Sequence, residues 1–135
     1  MSAAVREATG IQALQPRYVA ARDPRTLLGP DTLAVFGFGA GAPRALDDPR
    51  YLHVALQPVR GSAPFEVWRA ASSVRPWRDG AVAGATSDEL EFGWIECDET
   101  HGIAAAAERA YAAIVQRLGH SAMSHLLRMW NYFDA

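Results

Sequence analysis

The run His125-Leu126-Leu127-Arg128-Met129-Trp130-Asn131-Tyr132-Phe133 constrains the fold more than any other stretch of the 135-residue chain. At the two-residue period of a strand, Leu127, Met129, Asn131 and Phe133 share one face, and Leu126, Arg128, Trp130 and Tyr132 share the other. Both faces are then largely apolar. Such a strand belongs inside a sheet or beneath another layer, because as a bare edge it would recruit other chains. Only Asp134 and Ala135 follow it. The expectation is that this run pairs with strands outside the sequence, and that residues 75–133, read as strand–strand–helix–strand, form one half of a repeating unit.

Half of the residues are hydrophobic and 21% are charged, which suits a single domain with a real core and excludes a disordered chain. A formal charge of -2 gives a polyanion nothing to hold, so nucleic acid is not expected as a partner. No apolar stretch approaches the roughly 20 residues that cross a bilayer. The start, MSAAVREATG, lacks the basic-then-apolar layout of a secretory signal. A soluble, cytoplasmic protein without membrane contact is expected. All 13 basic side chains are arginine. The lack of lysine removes Schiff-base chemistry, pyridoxal phosphate attachment and the P-loop, and any anionic ligand would be held by guanidinium forks. The lone Cys97, inside the apolar run WIEC, reads as a small buried hydrophobe.

Along the chain, residues 1–30 read as an extended lead-in and residues 31–135 as the folded domain. Strands are expected at TLAVF (32–36), YLHVALQPV (51–59) and FEVWRAA (65–71); the second places Leu52, Val54 and Leu56 on one face, and the third sets Phe65 and Val67 against Glu66 and Trp68. Asp79-Gly80 and Thr86-Ser87-Asp88 are turn signals around the small-residue run 81–85, so a hairpin is expected there. In its second arm Leu90, Phe92 and Trp94 share one parity and Ile95 and Cys97 the other, which predicts a bulge near Gly93. Thr100 is the candidate N-cap of a helix over 101–118, with Asp98 and Glu99 near its positive end. The helix is expected to bury the stripe Ile103, Ala107, Ala110, Tyr111, Ile114, Val115 and Leu118, and to end with Gly119 in the left-handed conformation. The architecture implied is α+β, a mixed sheet with a covering helix.

Few motifs carry chemistry. Gly37, Gly39 and Ala42 match the dinucleotide pattern G-x-G-x-x-G/A, but that pattern must open a helix, and Pro43, Asp47, Asp48 and Pro49 follow instead. A glycine-rich loop is expected. His53, His101, His120 and His125 lack partners at metal-ligand spacing, so no metal is assigned. Asp47, Asp48, Glu89, Glu91 and Glu96 read as turn and surface charges. That leaves Arg128, the sole asparagine Asn131, and Tyr132 as candidate substrate-binding residues, polar groups set among large apolar ones. The competing reading has Asn131 and Tyr132 meeting backbone or solvent at a sheet end.

The stretches DGAVAGATSDELEFGWIECDE, AAAAERAYAAIVQRLG and HLLRMWNYFDA together resemble the N-terminal half of the chorismatase family, also described as pteridine-dependent dioxygenase-like. The resemblance implies chorismate as substrate, and pyruvate plus a hydroxybenzoate or a dihydroxycyclohexadiene carboxylate as products. It implies no metal and no organic cofactor. It also implies a fold of two halves, each like the RidA/YjgF and chorismate-mutase-like α+β unit, of which this chain would be an incomplete part. The family's substrate-holding tyrosine and arginine and its catalytic glutamate map onto no position here, so the catalytic residues are unknown. The missing C-terminal half, or other copies meeting open sheet edges, would be the protein partner. A second reading from the same residues is a noncatalytic RidA-like module that binds a metabolite or oligomerises.

Overall fold

Every position of Thr32–Ala34 and on to Phe36 is apolar or a threonine that can satisfy itself locally, which suits a strand covered on both sides. A computed structural model, described for residues 14–58, 61, 63–123 and 125–133, places that stretch at the centre of the larger of two sheets. Seven strands precede one α-helix: β1 (Leu14–Val19), β2 (Thr32–Phe38), β3 (Tyr51–Val54), β4 (Phe65–Ala70), β5 (Arg75–Asp79), β6 (Val82–Thr86), β7 (Glu91–Trp94) and α1 (Ile103–His120). A 3-10 turn, Pro24–Leu27, lies between β1 and β2. The first sheet has the order β1-β4-β2-β3 and the second β5-β6-β7. The α+β class holds, with two sheets in place of one.

The first sheet is mixed. β2 runs parallel to β3 and antiparallel to β4, and β1 is antiparallel to β4. One of its faces carries Ala34, Phe36, Leu52, Val54 and Ala70, which pack with Ala85 and Phe92 of the second sheet. Phe36, Trp68 and Phe92 meet there as tilted and edge-on rings, with centroids 4.9–5.7 Å apart. The other face carries Val35, Tyr51, Phe65 and Val67, covered by Val19, Ala21, Leu27, Leu28 and Leu46 from the connecting segments.

A parallel neighbour needs a crossover, usually made by a helix. Here residues 39–50 make it without one, and Arg50 holds its end. Arg50 is buried, at 7% exposure. Its Nη1 donates to the carbonyls of Gly29 (2.7 Å) and Thr32 (3.1 Å), and its Nη2 to that of Leu28 (3.5 Å). Nε and Nη2 also reach the two carboxylate oxygens of Asp48, at 3.0 and 2.9 Å. All five guanidinium donors are used. Beneath this clasp the Thr32 hydroxyl donates to the Leu27 carbonyl at 2.7 Å and accepts from the Gly29 amide at 3.0 Å.

The second sheet is a meander whose turns lie where Asp79-Gly80 and Ser87 stand, with Gly80 at φ +60°. Its outer face is nearly bare: a Cβ on Gly84 would run into the Phe92 carbonyl and the Trp77 ring. α1 packs on this face through its smallest residues, with Ala106 buried and Ala110 and Ala113 half-buried. Arg117 lies 3.9 Å over the Trp77 ring and reaches Glu91 (3.2 Å) and Asp79 (3.4 Å).

Several expectations from sequence are corrected. No bulge occurs at Gly93: β6 and β7 pair in unbroken register, and the parity change at Ile95 arises because the strand ends at Trp94. The irregularity lies instead between Thr32 and Ala34, which brings Leu33 and Ala34 into the same cluster. β3 stops at Val54, so Leu56 is exposed. The helix begins at Ile103 behind Gly102 at φ 92°, not behind Thr100, whose amide donates to Asp98 instead. It runs through Gly119 and ends at His120. Its expected stripe is covered only in part: Ala107, Ala110 and Ile114 are half-buried, whereas Ile103, Tyr111, Val115 and Leu118 are exposed, because the flat sheet favours a face of short side chains. Cys97 is half-buried outside any strand. Residues 122–123 and 125–133 form no strand; they run as irregular chain.

Arg50→Ala leaves three carbonyls and a partly buried carboxylate without their donor, and is expected to lower unfolding free energy by about 3 kcal/mol in urea denaturation. Burial pushes the Asp48 carboxyl up, but hydrogen bonds from Arg50 and the charges of Arg50 and Arg78 outweigh it and hold it below the ordinary value of 3.8. A lowered carboxylate stabilises the fold above its unfolded pKa and ceases to do so as pH falls through the folded one. The wild type is expected to lose stability below about pH 4, and Arg50→Ala to lose less over the same interval.

Candidate functional site

The three residues singled out by sequence lie on the chain after α1. Trp130 anchors this tail on the first sheet, its ring 5.2 Å from that of Trp68 of β4. Asn131 Oδ1 accepts the hydroxyl proton of Tyr111 on α1, at 2.9 Å. Arg128 stands 5.6 Å from the Trp130 ring. Burial, and then the charge of Glu66 and the neighbouring Tyr18, push the Tyr132 hydroxyl above its ordinary value. Glu66 also holds the Trp68 indole N–H at 2.8 Å and raises Tyr18. Tyr132 therefore lies near Glu66 of β4 and Tyr18 of β1, whereas Asn131 is turned to Tyr111 of α1 and Arg128 stands beside Trp130. These are side-chain contacts, not the expected ladder of a strand.

A second constellation escaped sequence reading. A cleft of about 460 Å³ opens at the β3 edge, lined by Arg44, Ala45, Leu46, Tyr51, His53, Arg78, Trp94 and Glu96. The crossover supplies Arg44 to Leu46, β3 supplies Tyr51 and His53, and the second sheet supplies Arg78 and Trp94, which share a cross-strand row through Ala83. Its walls are fixed by backbone carbonyls. The Tyr51 hydroxyl donates to Pro43 at 2.5 Å, the Trp94 indole N–H to Pro49 at 2.8 Å, and His53 Nε2 contacts the Gly39 carbonyl at 2.8 Å. Gly37 and Gly39 of the glycine-rich loop serve this packing: a Cβ on Gly37 would strike the Tyr51 hydroxyl, and one on Gly39 would strike Gln57. Arg44 pairs with Glu96 across the mouth. Nothing in the local spacing pointed here, because the lining comes from segments 25 to 52 residues apart that meet only after the crossover folds. Among the described residues, no group of three or more histidine, cysteine or carboxylate side chains is placed to hold a metal.

A family model described as chorismatase FkbO/Hyg5-like, N-terminal, matches residues 66–135, just over half of the chain. The chain belongs to the chorismatase FkbO/Hyg5-like N-terminal family. Chorismatases act on a small-molecule substrate, chorismate, and the matched segment runs from β4 through the second sheet and α1 to the tail. It includes Arg78, Trp94 and Glu96 but not Arg44, Tyr51 or His53. No curated protein and no solved structure matches the chain significantly. Among the described residues no helix is long and apolar enough to cross a membrane.

Burial pushes the Tyr51 hydroxyl up to about 12. A raised phenol favours the fold below its unfolded pKa near 10 and loses that contribution as pH climbs toward the folded one. In an ultraviolet titration Tyr51 is expected to ionise last, together with the loss of structure, and Tyr51→Phe to remove that step.

Proposed function

We propose that the chain is the N-terminal part of a chorismatase that converts chorismate to a hydroxybenzoate, 3- and/or 4-hydroxybenzoate, plus pyruvate. The observation carrying this reading is the family match over residues 66–135, which contains the tail with Arg128, Asn131 and Tyr132. Those three are the proposed substrate-binding residues. A guanidinium, an amide and a phenol set among Trp68, Trp130 and Tyr111 offer a cyclic dicarboxylate what it needs: charge for a carboxylate, donors for its hydroxyl and flat apolar surface for its ring. The reaction balances without water or oxidant, since loss of the enolpyruvyl group as pyruvate leaves an aromatic ring; acid assistance at the side chain starts it. Neither metal nor organic cofactor enters. The catalytic carboxylate is assigned to the family's C-terminal half, not to any position here. The packing of one helix on a small sheet supports the RidA/YjgF- and chorismate-mutase-like unit as the fold of each half. A cytoplasmic location goes with this reading.

A second reading rests on the exposed face of α1, where Ile103, Tyr111, Val115 and Leu118 lie open near the uncovered Leu126, Leu127 and Phe133 of the tail. A noncatalytic RidA-like module would use such surface, and its open sheet edges, to assemble with other copies. Incubating full-length protein with chorismate and assaying pyruvate separates the two. Pyruvate release at a rate that Asn131→Ala lowers at least about 10-fold is expected; a protein that releases none and sediments as a stable oligomer favours the module.

A further inference from the structure

We propose that the cleft at the β3 edge is a binding site for a small ring-bearing carboxylate, separate from the tail residues assigned to substrate. Its charge selects an anion. Two guanidiniums, on Arg44 and Arg78, face one carboxylate, Glu96, in the lining. Arg78 has Asp48 as its Coulombic neighbour, but Asp48 is clasped by Arg50 through two guanidinium contacts of 3.0 and 2.9 Å. Among the described residues no carboxylate makes an ion pair with Arg78, so its fork is open to one from a ligand. The Arg44–Glu96 pair is more than half exposed on both sides, and pairs of that kind are weak enough for a ligand carboxylate to compete.

The walls select a ring. Trp94 presents aromatic surface and the buried Tyr51 backs the cleft from beneath; their polar handles are already spent on Pro49 and Pro43, so neither ring has a hydrogen bond to gain by turning away. Leu46 and Ala45 add apolar surface. Both rings are held in place before a ligand arrives, which lowers the ordering cost of binding. The volume lies toward the small end of ligand pockets and suits one six-membered ring with its carboxylate.

The test is titration calorimetry of the protein with benzoate, acetate and phenol, with backbone and indole NMR shifts to locate binding. Benzoate is expected to bind saturably and at least about 10-fold more tightly than acetate or phenol, and to shift Leu46, His53 and the Trp94 indole N–H. Arg78→Ala is expected to weaken benzoate at least about 10-fold. Glu96→Gln, which removes the opposing charge from the lining, is expected to tighten it roughly 3-fold. Arg75→Ala, which removes the same charge from the opposite face of β5, leaves the affinity unchanged. Absence of saturable benzoate binding, equal binding of acetate or phenol, equal loss in Arg75→Ala and Arg78→Ala, or shifts confined to the tail would each overturn the proposal. None of these readouts depends on turnover of chorismate, so the site stands or falls independently of the enzyme's activity.

Discussion

The buried guanidinium of Arg50 is the constraint on which the first sheet depends. Two parallel strands joined by 12 residues without a helix have no continuous backbone ladder to hold the crossover down, so side chains supplement the few backbone bonds at its ends, such as Gly39 N–H to Val54 and Val35 N–H to Arg50. Burying a charge is costly unless every donor is met. Arg50 meets that condition with the carbonyls of Leu28 and Gly29 before β2, that of Thr32 at its start, and both oxygens of Asp48 two residues earlier. One side chain therefore fixes the start of β2 and the end of the crossover against each other. The Tyr51, Trp94 and Arg44 contacts then fasten the rest of the loop. The cleft is a by-product of this solution: a crossover helix would fill the space in which Arg44, His53 and Arg78 now face one another.

The second sheet solves a different problem. Its outer face is cleared by Gly84 and Gly93 to let Trp77 lie flat, and a flat surface admits only a helix face of short side chains. Ala106, Ala110 and Ala113 supply that face. The Arg117 guanidinium stacks on Trp77 while bridging Asp79 and Glu91, which ties both edges of the sheet to the helix end. Ile103, Tyr111, Val115 and Leu118 are consequently turned away from the sheet. Tyr111 uses its position to hold Asn131. The alanine packing and the placement of the tail are thus two results of one orientation of α1.

Strand positions were legible because they follow from local alternation, as β2, β4 and the meander turns at Gly80 and Ser87 illustrate. The helix was legible to within two residues at each end, but the face it buries only in part, through Ala107, Ala110 and Ile114. Periodicity ranks side chains by hydrophobicity, whereas the depth available above Gly84 decides which of two adjacent apolar faces fits. The tail shows the same limit from the other side. Its large residues predicted burial, yet Leu126, Leu127, Trp130, Tyr132 and Phe133 are exposed, with Trp130 touching Trp68, and a two-residue period cannot tell a laddered strand from irregular chain held by individual side chains. Arg128, Asn131 and Tyr132 could be named from composition alone. The cleft could not be named, because Arg44 and Arg78 become neighbours only through the parallel pairing of β2 and β3.

That pairing also sets how the two constellations relate. The tail seat belongs to β1 and β4, whereas the cleft belongs to β3, and the order β1-β4-β2-β3 puts the width of the first sheet between them. Strands stand about 4.8 Å apart, so a ligand in the cleft lies on the order of 10 Å or more from Trp68 and shares no side chain with one at the tail. The family match divides nearly along the same line: it contains the tail and Glu66 and Trp68 of β4, though not Tyr18 of β1, and the cleft only through Arg78, Trp94 and Glu96. The intervening strands are the most buried part of the molecule, with Ala34 and Val35 fully enclosed, and a packed core of that kind does not deform gradually to pass a signal. Communication between the two would have to travel through something able to take two positions.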